Sequence, residues 1–154
     1  MRISQRVYFD VSSETVPAAA VTARLGMEPD QLKVRGATRA EPPVPSCHSW
    51  SVHCQEPGLR LDAQIGEILR RIEPVRQRLA GLVNGEEVSA RLVIVRYFND
   101  ADGEEESFEA AVTKDGRLLE KLPGQHQLLG WYLTAQQLEF LVSINCAIWA
   151  DEYG

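Results

Sequence analysis

Apolar positions recur along the chain with two periods. Residues 3–11 alternate, with Ile3, Val7, Phe9 and Val11 on one face and Arg6, Tyr8 and Asp10 on the other, which predicts a strand with one buried face. Ser12 to Thr15 is turn-like. Pro17 then suits the first turn of a helix, Val21 and Leu25 give it an apolar stripe, and Gly26 is a natural stop. His48 to Cys54 alternates again, Trp50, Val52 and Cys54 opposite Ser49, Ser51 and His53. From Leu61 to Val83 the period changes. Leu61, Ile65, Ile68, Leu69, Ile72, Val75, Leu79 and Leu82 recur at helical steps, with Arg70, Arg71, Arg76 and Arg78 on the wet side. Pro74 should kink or divide this long helix, because its ring clashes with the preceding turn and it has no N–H to donate.

Val88 to Phe98 is a third strand, apolar on both faces in its middle, as expected for a central strand covered on both sides. Phe108 to Thr113 predicts a hairpin strand followed by an Asp115-Gly116 turn. The closing stretch is the best specified. Thr134 is an N-cap with Gln137 placed to complete a capping box, and Leu133 and Leu138 can form a hydrophobic staple. Leu138, Leu141 and Val142 fall on one helical face, with Phe140 and Ile144 beside it. Asn145 can take a left-handed conformation and end the helix. Period two resumes at once, with Ala147, Trp149, Asp151 and Tyr153 opposite Cys146, Ile148 and Ala150.

The order is strand, helix, strand, long helix, strand, hairpin strand, helix, strand. It predicts one α+β domain over residues 1–154. The architecture expected is a two-layer sandwich, a mostly antiparallel sheet with helices on one face, ferredoxin-like with an extra long helix. Glu28 to Ser49 is irregular, with several prolines and a small basic cluster of Lys33, Arg35 and Arg39, and reads as a long loop.

Composition changes this picture little. The 154 residues are 44% hydrophobic and 25% charged, ordinary for a globular chain that buries a core. A net charge of −6 argues against non-specific nucleic-acid binding, which needs a basic footprint. No apolar run approaches a membrane span, and Met-Arg-Ile-Ser-Gln-Arg at the start carries no apolar leader core. Cys47, Cys54 and Cys146 are an odd set without framework spacing, which suggests free thiols in a reducing cytoplasm.

Candidate chemistry is sparse. Cys47, His48, His53 and Cys54 invite a zinc reading. On a strand, however, Cys47 and His53 point one way and His48 and Cys54 the other, and six residues separate His48 from Cys54 by roughly 20 Å. No metal site and no cofactor are expected. There is no Gly-rich phosphate loop, no Gly-x-Ser-x-Gly and no His-Glu-x-x-His. The acidic cluster at Asp100, Asp102 and Glu104 to Glu106 lacks a calcium-loop spacing.

The richest feature is the sheet face away from the helices. If Phe9, Trp50, Leu92 and Ile148 point to the core, the opposite face carries Arg6, Tyr8, Asp10, Ser51, His53, Arg91, Val93, Val95, Tyr97, Trp149, Asp151 and Tyr153. Aromatics mixed with a few charges are the composition of a recognition surface. The candidate binding residues are therefore Tyr8, Asp10, His53, Arg91, Tyr97, Trp149, Asp151 and Tyr153. So much apolar area on one face is covered by something: the 99–130 stretch, a second copy, a ligand or a protein.

Four stretches resemble the bacterial family known as domain of unknown function 4279. They are Val7-Tyr8-Phe9-Asp10-Val11; Leu25-Gly26-Met27-Glu28-Pro29 with Arg35-Gly36 and Trp50; Leu69-Arg70-Arg71-Ile72-Glu73-Pro74; and Ile148-Trp149-Ala150-Asp151-Glu152-Tyr153. The chain departs from the family at Leu32-Lys33, where a Trp often stands before the Gly, and in a longer 99–130 connection. The resemblance implies a small cytosolic α+β domain and brings no activity or catalytic residues.

Three functions fit. The first is a non-catalytic interaction domain using the open sheet face and the 28–49 loop, binding a protein or itself as a homodimer, in one version an immunity-type protein that masks a toxin. The second is a small-molecule binding module with Tyr8, Tyr97, Trp149 and Tyr153 lining an aromatic pocket and Asp10 or Arg91 orienting the ligand. The third is a hydrolase-type enzyme using His53, Asp10 and Asp151, which requires the three to converge on one substrate. None involves nucleic acid or a membrane.

Overall fold

A computed structural model describes residues 2–37, 44–54, 56, 59–85, 87–105, 111–119 and 130–154. The alternating first stretch forms strand β1 (Arg2–Ser13), and it runs two residues further than its apolar pattern predicts. Ser12 and Ser13 stay in the strand because their hydroxyls find partners there. Ser12 Oγ meets Ser89 Oγ at 3.0 Å, and Ser13 Oγ donates to the Glu87 carbonyl at 2.6 Å. Ser13 Oγ also accepts from the backbone N–H of Val16 at 2.9 Å, which turns the chain into helix α1 (Ala18–Leu25). Gly26 ends that helix in the left-handed conformation, φ 61°, its N–H donating to the Thr22 carbonyl at 2.8 Å.

The proline-rich connection holds one short strand, β2 (Gln31–Lys33), before β3 (His48–His53). The long amphipathic stretch is divided at Pro74, as its ring requires. Helix α2 (Leu61–Ile72) leads through a 3₁₀ turn, Glu73–Val75, into α3 (Arg76–Val83). Strand β4 (Ser89–Phe98) follows. Two-residue strands come next: β5 (Glu104–Glu105), then β6 (Ala111–Val112) and β7 (Leu118–Leu119), which pair as a hairpin around Asp115-Gly116. The predicted strand from Phe108 begins outside the described residues. The chain closes with α4 (Ala135–Ser143) and β8 (Cys146–Tyr153).

The main sheet has the order β2-β3-β1-β4-β8, with β5 added to β1. Every pair is antiparallel except β4 with β8. This is the expected α+β arrangement, a mostly antiparallel sheet with its helices on one face. The strand order differs from the ferredoxin-like detail of that expectation: the parallel strands β4 and β8 are direct neighbours, joined over α4, rather than split by another strand. Val7, Phe9, Trp50, Val52, Leu92 and Ile94 face the helices, and each is at most 1% exposed. They pack with Leu25, Ile65, Ile68, Ile72, Leu79, Leu141 and Ile144 in one core cluster.

Two details differ from the apolar pattern. The buried residues of α4 are Phe140 and Leu141, while Leu138 and Val142 are exposed. The short helix meets the core at its inner turn, with Ile144 just beyond it. Ile148 points to the helix side but is 39% exposed, because β8 is an edge strand and α4 covers only its start. No helix among the described residues is long and apolar enough to cross a membrane.

Candidate functional site

Register places the residues of the open face in rows across the sheet. Asp10 lies between Ser51 and Arg91; Tyr8 lies between His53 and Val93, with Trp149 beyond Val93; Arg6, Val95 and Asp151 make the next row; Ser4, Tyr97 and Tyr153 the last. Strand spacing of about 4.8 Å sets the distance within each row, and two residues of strand, about 6.8 Å, the distance between rows. Period two along each strand thus brings residues from β1, β3, β4 and β8 to one surface.

That surface is concave. A cavity of about 520 Å³ lies over it, with Gln31 and Lys33 of β2 on one side and Val44 to Cys47 forming a wall. Six of the eight candidate residues line it: Tyr8, Asp10, His53, Arg91, Trp149 and Asp151. The other two are set apart. Tyr97 and Tyr153 stack face to face, centroids 4.9 Å apart, beside a separate hollow of about 470 Å³ with Ser4 and Phe98.

The polar groups on the floor are tied to one another. Asp10 is 4% exposed; one carboxylate oxygen accepts from Ser49 Oγ and the other from Arg91 at 2.8 Å. Arg91 also donates to Ser12 Oγ at 3.0 Å, and its guanidinium lies 4.9 Å from the centre of the Trp149 ring. Its Nε is buried with no hydrogen-bond partner among the described residues. A buried carboxylate held by two donors, one of them cationic, fixes the rotamer of both partners.

His53 sits at the edge of the cavity. Its Nε2 meets Ser51 Oγ at 2.9 Å, and its ring stacks on Tyr8 with centroids 5.1 Å apart. The backbone beneath it is clamped. Asp30 accepts from the His53 N–H at 2.7 Å and from Arg71 at 2.8 and 3.1 Å, while Arg71 donates to the His53 carbonyl at 2.6 Å. Burial holds the His53 pKa below the ordinary value; Asp30 works against this, and Arg6, Lys33 and Arg71 reinforce it. Burial raises the Tyr8 phenol, with Asp10 adding to the shift.

The Asp10, His53 and Asp151 set does not form a single hydrogen-bonded unit. Asp10 is joined to Ser49 and Arg91, and His53 to Ser51 and Tyr8. Cys47 lines the cavity with His53, whereas Cys54 faces the helices and approaches Glu67 at 3.0 Å. The other lining residues, Gln31, Lys33, Ser49 and the Val44–Cys47 wall, fall in the 28–49 stretch expected to join the sheet face in binding, but none was singled out as a binding residue. Ser49 was reachable, since it shares the period-two face of Ser51. A three-residue edge strand such as β2 is too short to show a period, and the wall follows from tertiary placement.

The family described as "Domain of unknown function (DUF4279)" matches residues 2–154, so the chain belongs to that family. No curated protein and no solved structure matches it.

Proposed function

We propose that the protein is a non-catalytic binding module that takes a small molecule in the sheet-face cavity. The observation that carries this is the cavity itself. Its volume of about 520 Å³ lies within the ordinary range for ligand sites, and aromatic and polar side chains converge on it. Its floor is pre-organised, because the Asp10–Arg91 pair and the Tyr8–His53 stack hold four of the lining groups in fixed rotamers. The same bonds argue against acid–base work. Asp10 is already saturated by Ser49 and Arg91, and the hydroxyl paired with His53 belongs to Ser51, only 3% exposed. Three free thiols suit a reducing compartment such as a bacterial cytoplasm.

A second reading has its own observation. β8 forms one edge of the sheet and exposes Trp149, Tyr153 and Ile148, so a protein partner or a second copy could lie along it, as an immunity-type protein would use it. One pair of measurements separates the two. Fragment screening by ¹H–¹⁵N NMR should give hits that shift the Trp149 indole N–H and the amides of Tyr8, His53 and Arg91. Hits that leave these resonances unmoved would refute the cavity reading. Size-exclusion chromatography with light scattering would favour the second reading if it found a dimer that Trp149→Ala dissociates.

A further inference from the structure

We infer that the ligand class of this cavity is an anionic aromatic: a planar unsaturated ring that carries a carboxylate, sulfonate or phosphate. This rests on the cavity being a ligand site and adds the chemistry it selects.

The first argument is shape. Tyr8 stacks His53 on its β3 side, which leaves its β4 side to the space above Val93. Across Val93 the Arg91–Trp149 stack forms the opposing wall. Tyr8 and Trp149 flank Val93 on neighbouring strands, so their backbones stand about 10 Å apart. The free face of Tyr8 and the Arg91–Trp149 stack favour a planar unsaturated group, which can stack on either, over a bulky saturated one. The floor is apolar at Val93, 5% exposed, so the ring also gains from burial.

The second argument is charge. Three cations, Arg6, Lys33 and Arg91, and two carboxylates, Asp10 and Asp151, line the cavity. Arg91 and Asp10 neutralise each other at 2.8 Å. Arg6 and Lys33 form no ion pair among the described residues; of the lining carboxylates Asp151 is left to oppose them, and Asp30 beneath His53 is offset by its pair with Arg71. Asp151 lies on β8, about 10 Å from Arg6 across Val95. The surface of a chain with net charge −6 thus turns locally positive around His53. An acidic substituent directed to His53 lies in the combined field of Arg6 and Lys33, which flank that ring along the sheet and both act on it, while a cationic one is repelled.

The test uses the full chain and three probes: 2-naphthoate, 2-naphthylmethylammonium and inorganic phosphate. Isothermal titration and ¹H–¹⁵N spectra read affinity and place. 2-Naphthoate should shift the Trp149 indole N–H and bind about tenfold or more tighter than either other probe. The Arg6→Gln/Lys33→Gln variant, altered only at exposed side chains, should keep the wild-type melting temperature and lose about tenfold in 2-naphthoate affinity. Equal or tighter binding of the ammonium probe at Trp149 would overturn the charge assignment and leave the cavity as a ligand site. Phosphate binding as tightly as 2-naphthoate would overturn the aromatic part. If no probe moves a cavity resonance, both the ligand class and the ligand site fall.

Discussion

Asp10 shows how one polar residue can organise a surface. Its carboxylate is almost fully buried in the middle of the sheet, where an unpaired charge is costly, and Ser49 and Arg91 satisfy it. Asp10→Ala leaves the half-buried Arg91 guanidinium without its counter-ion and Ser49 without its acceptor. We expect a loss of about 2–3 kcal/mol in urea unfolding. In the Asp10→Ala/Arg91→Ala double variant the two losses should add up to less than their sum, by about 1–2 kcal/mol, because each single change removes the same pair. His53 gives a pH dependence. Its folded pKa lies below the unfolded value of about 6.5, chiefly through burial, with Asp30 opposing and Arg6, Lys33 and Arg71 assisting. Between the two pKa values the unfolded chain binds more protons than the folded one. Stability is therefore fully present above about pH 6.5 and declines as the pH falls through the folded pKa. Denaturant midpoints between pH 5 and 7.5 should show this decline, and His53→Gln should flatten it. An equal slope in wild type and variant would place the effect elsewhere.

At the scale of elements, local signals decided more than packing. Thr134 Oγ1 accepts from the Gln137 N–H at 3.2 Å, and the Gln137 side chain accepts from the Thr134 N–H at 2.8 Å. This capping box starts α4 where the sequence placed it. Thr134→Ala should cost about 1 kcal/mol, lowering the melting temperature by about 2–4 °C without changing the sheet. A shift below the error of calorimetry would mean that packing of Phe140 and Leu141 alone starts the helix. Asn145, at φ 49°, then reverses the chain into β8. The face that α4 buries was less legible. Leu138 and Val142 are as apolar as Phe140 and Leu141, and a nine-residue helix has too few turns for period alone to choose its buried side. Only its position against β8 and the core cluster chooses.

For the molecule as a whole, the cavity wall offers a reporter. Burial pushes the Cys146 thiol up to about 12, and burial together with the Glu67 hydrogen bond pushes Cys54 to about 11. Neither supplies appreciable thiolate near pH 8. Cys47, half-buried in the wall of the cavity, should therefore be alkylated first, as one fast phase with iodoacetamide that Cys47→Ser removes. 2-Naphthoate bound in the cavity should slow that phase; an unchanged rate at saturating probe would place the bound probe away from the wall. The reporter depends on three separate segments, β1, β3 and the chain leading into β3, being held together by one sheet.

The sequence by itself determined which residues share a face. Period two and period 3.6 are properties of the backbone, so the pairing of Tyr8 with Asp10, of Ser51 with His53 and of Trp149 with Asp151 needed no partner strand. The break at Pro74 and the cap at Thr134 are likewise local, set by a ring clash and by hydrogen bonds three residues apart. Strand order and register belong to the tertiary structure, because they follow from which edges meet when the core closes. Register alone decided that Arg91 meets Asp10, that Trp149 stands across Val93 from Tyr8, and that Tyr97 and Tyr153 stack outside the cavity. It also turned a face expected to be open into a walled cavity, since β2 and Val44–Cys47 are brought there only by pairing with β3 and by the path of the chain into it.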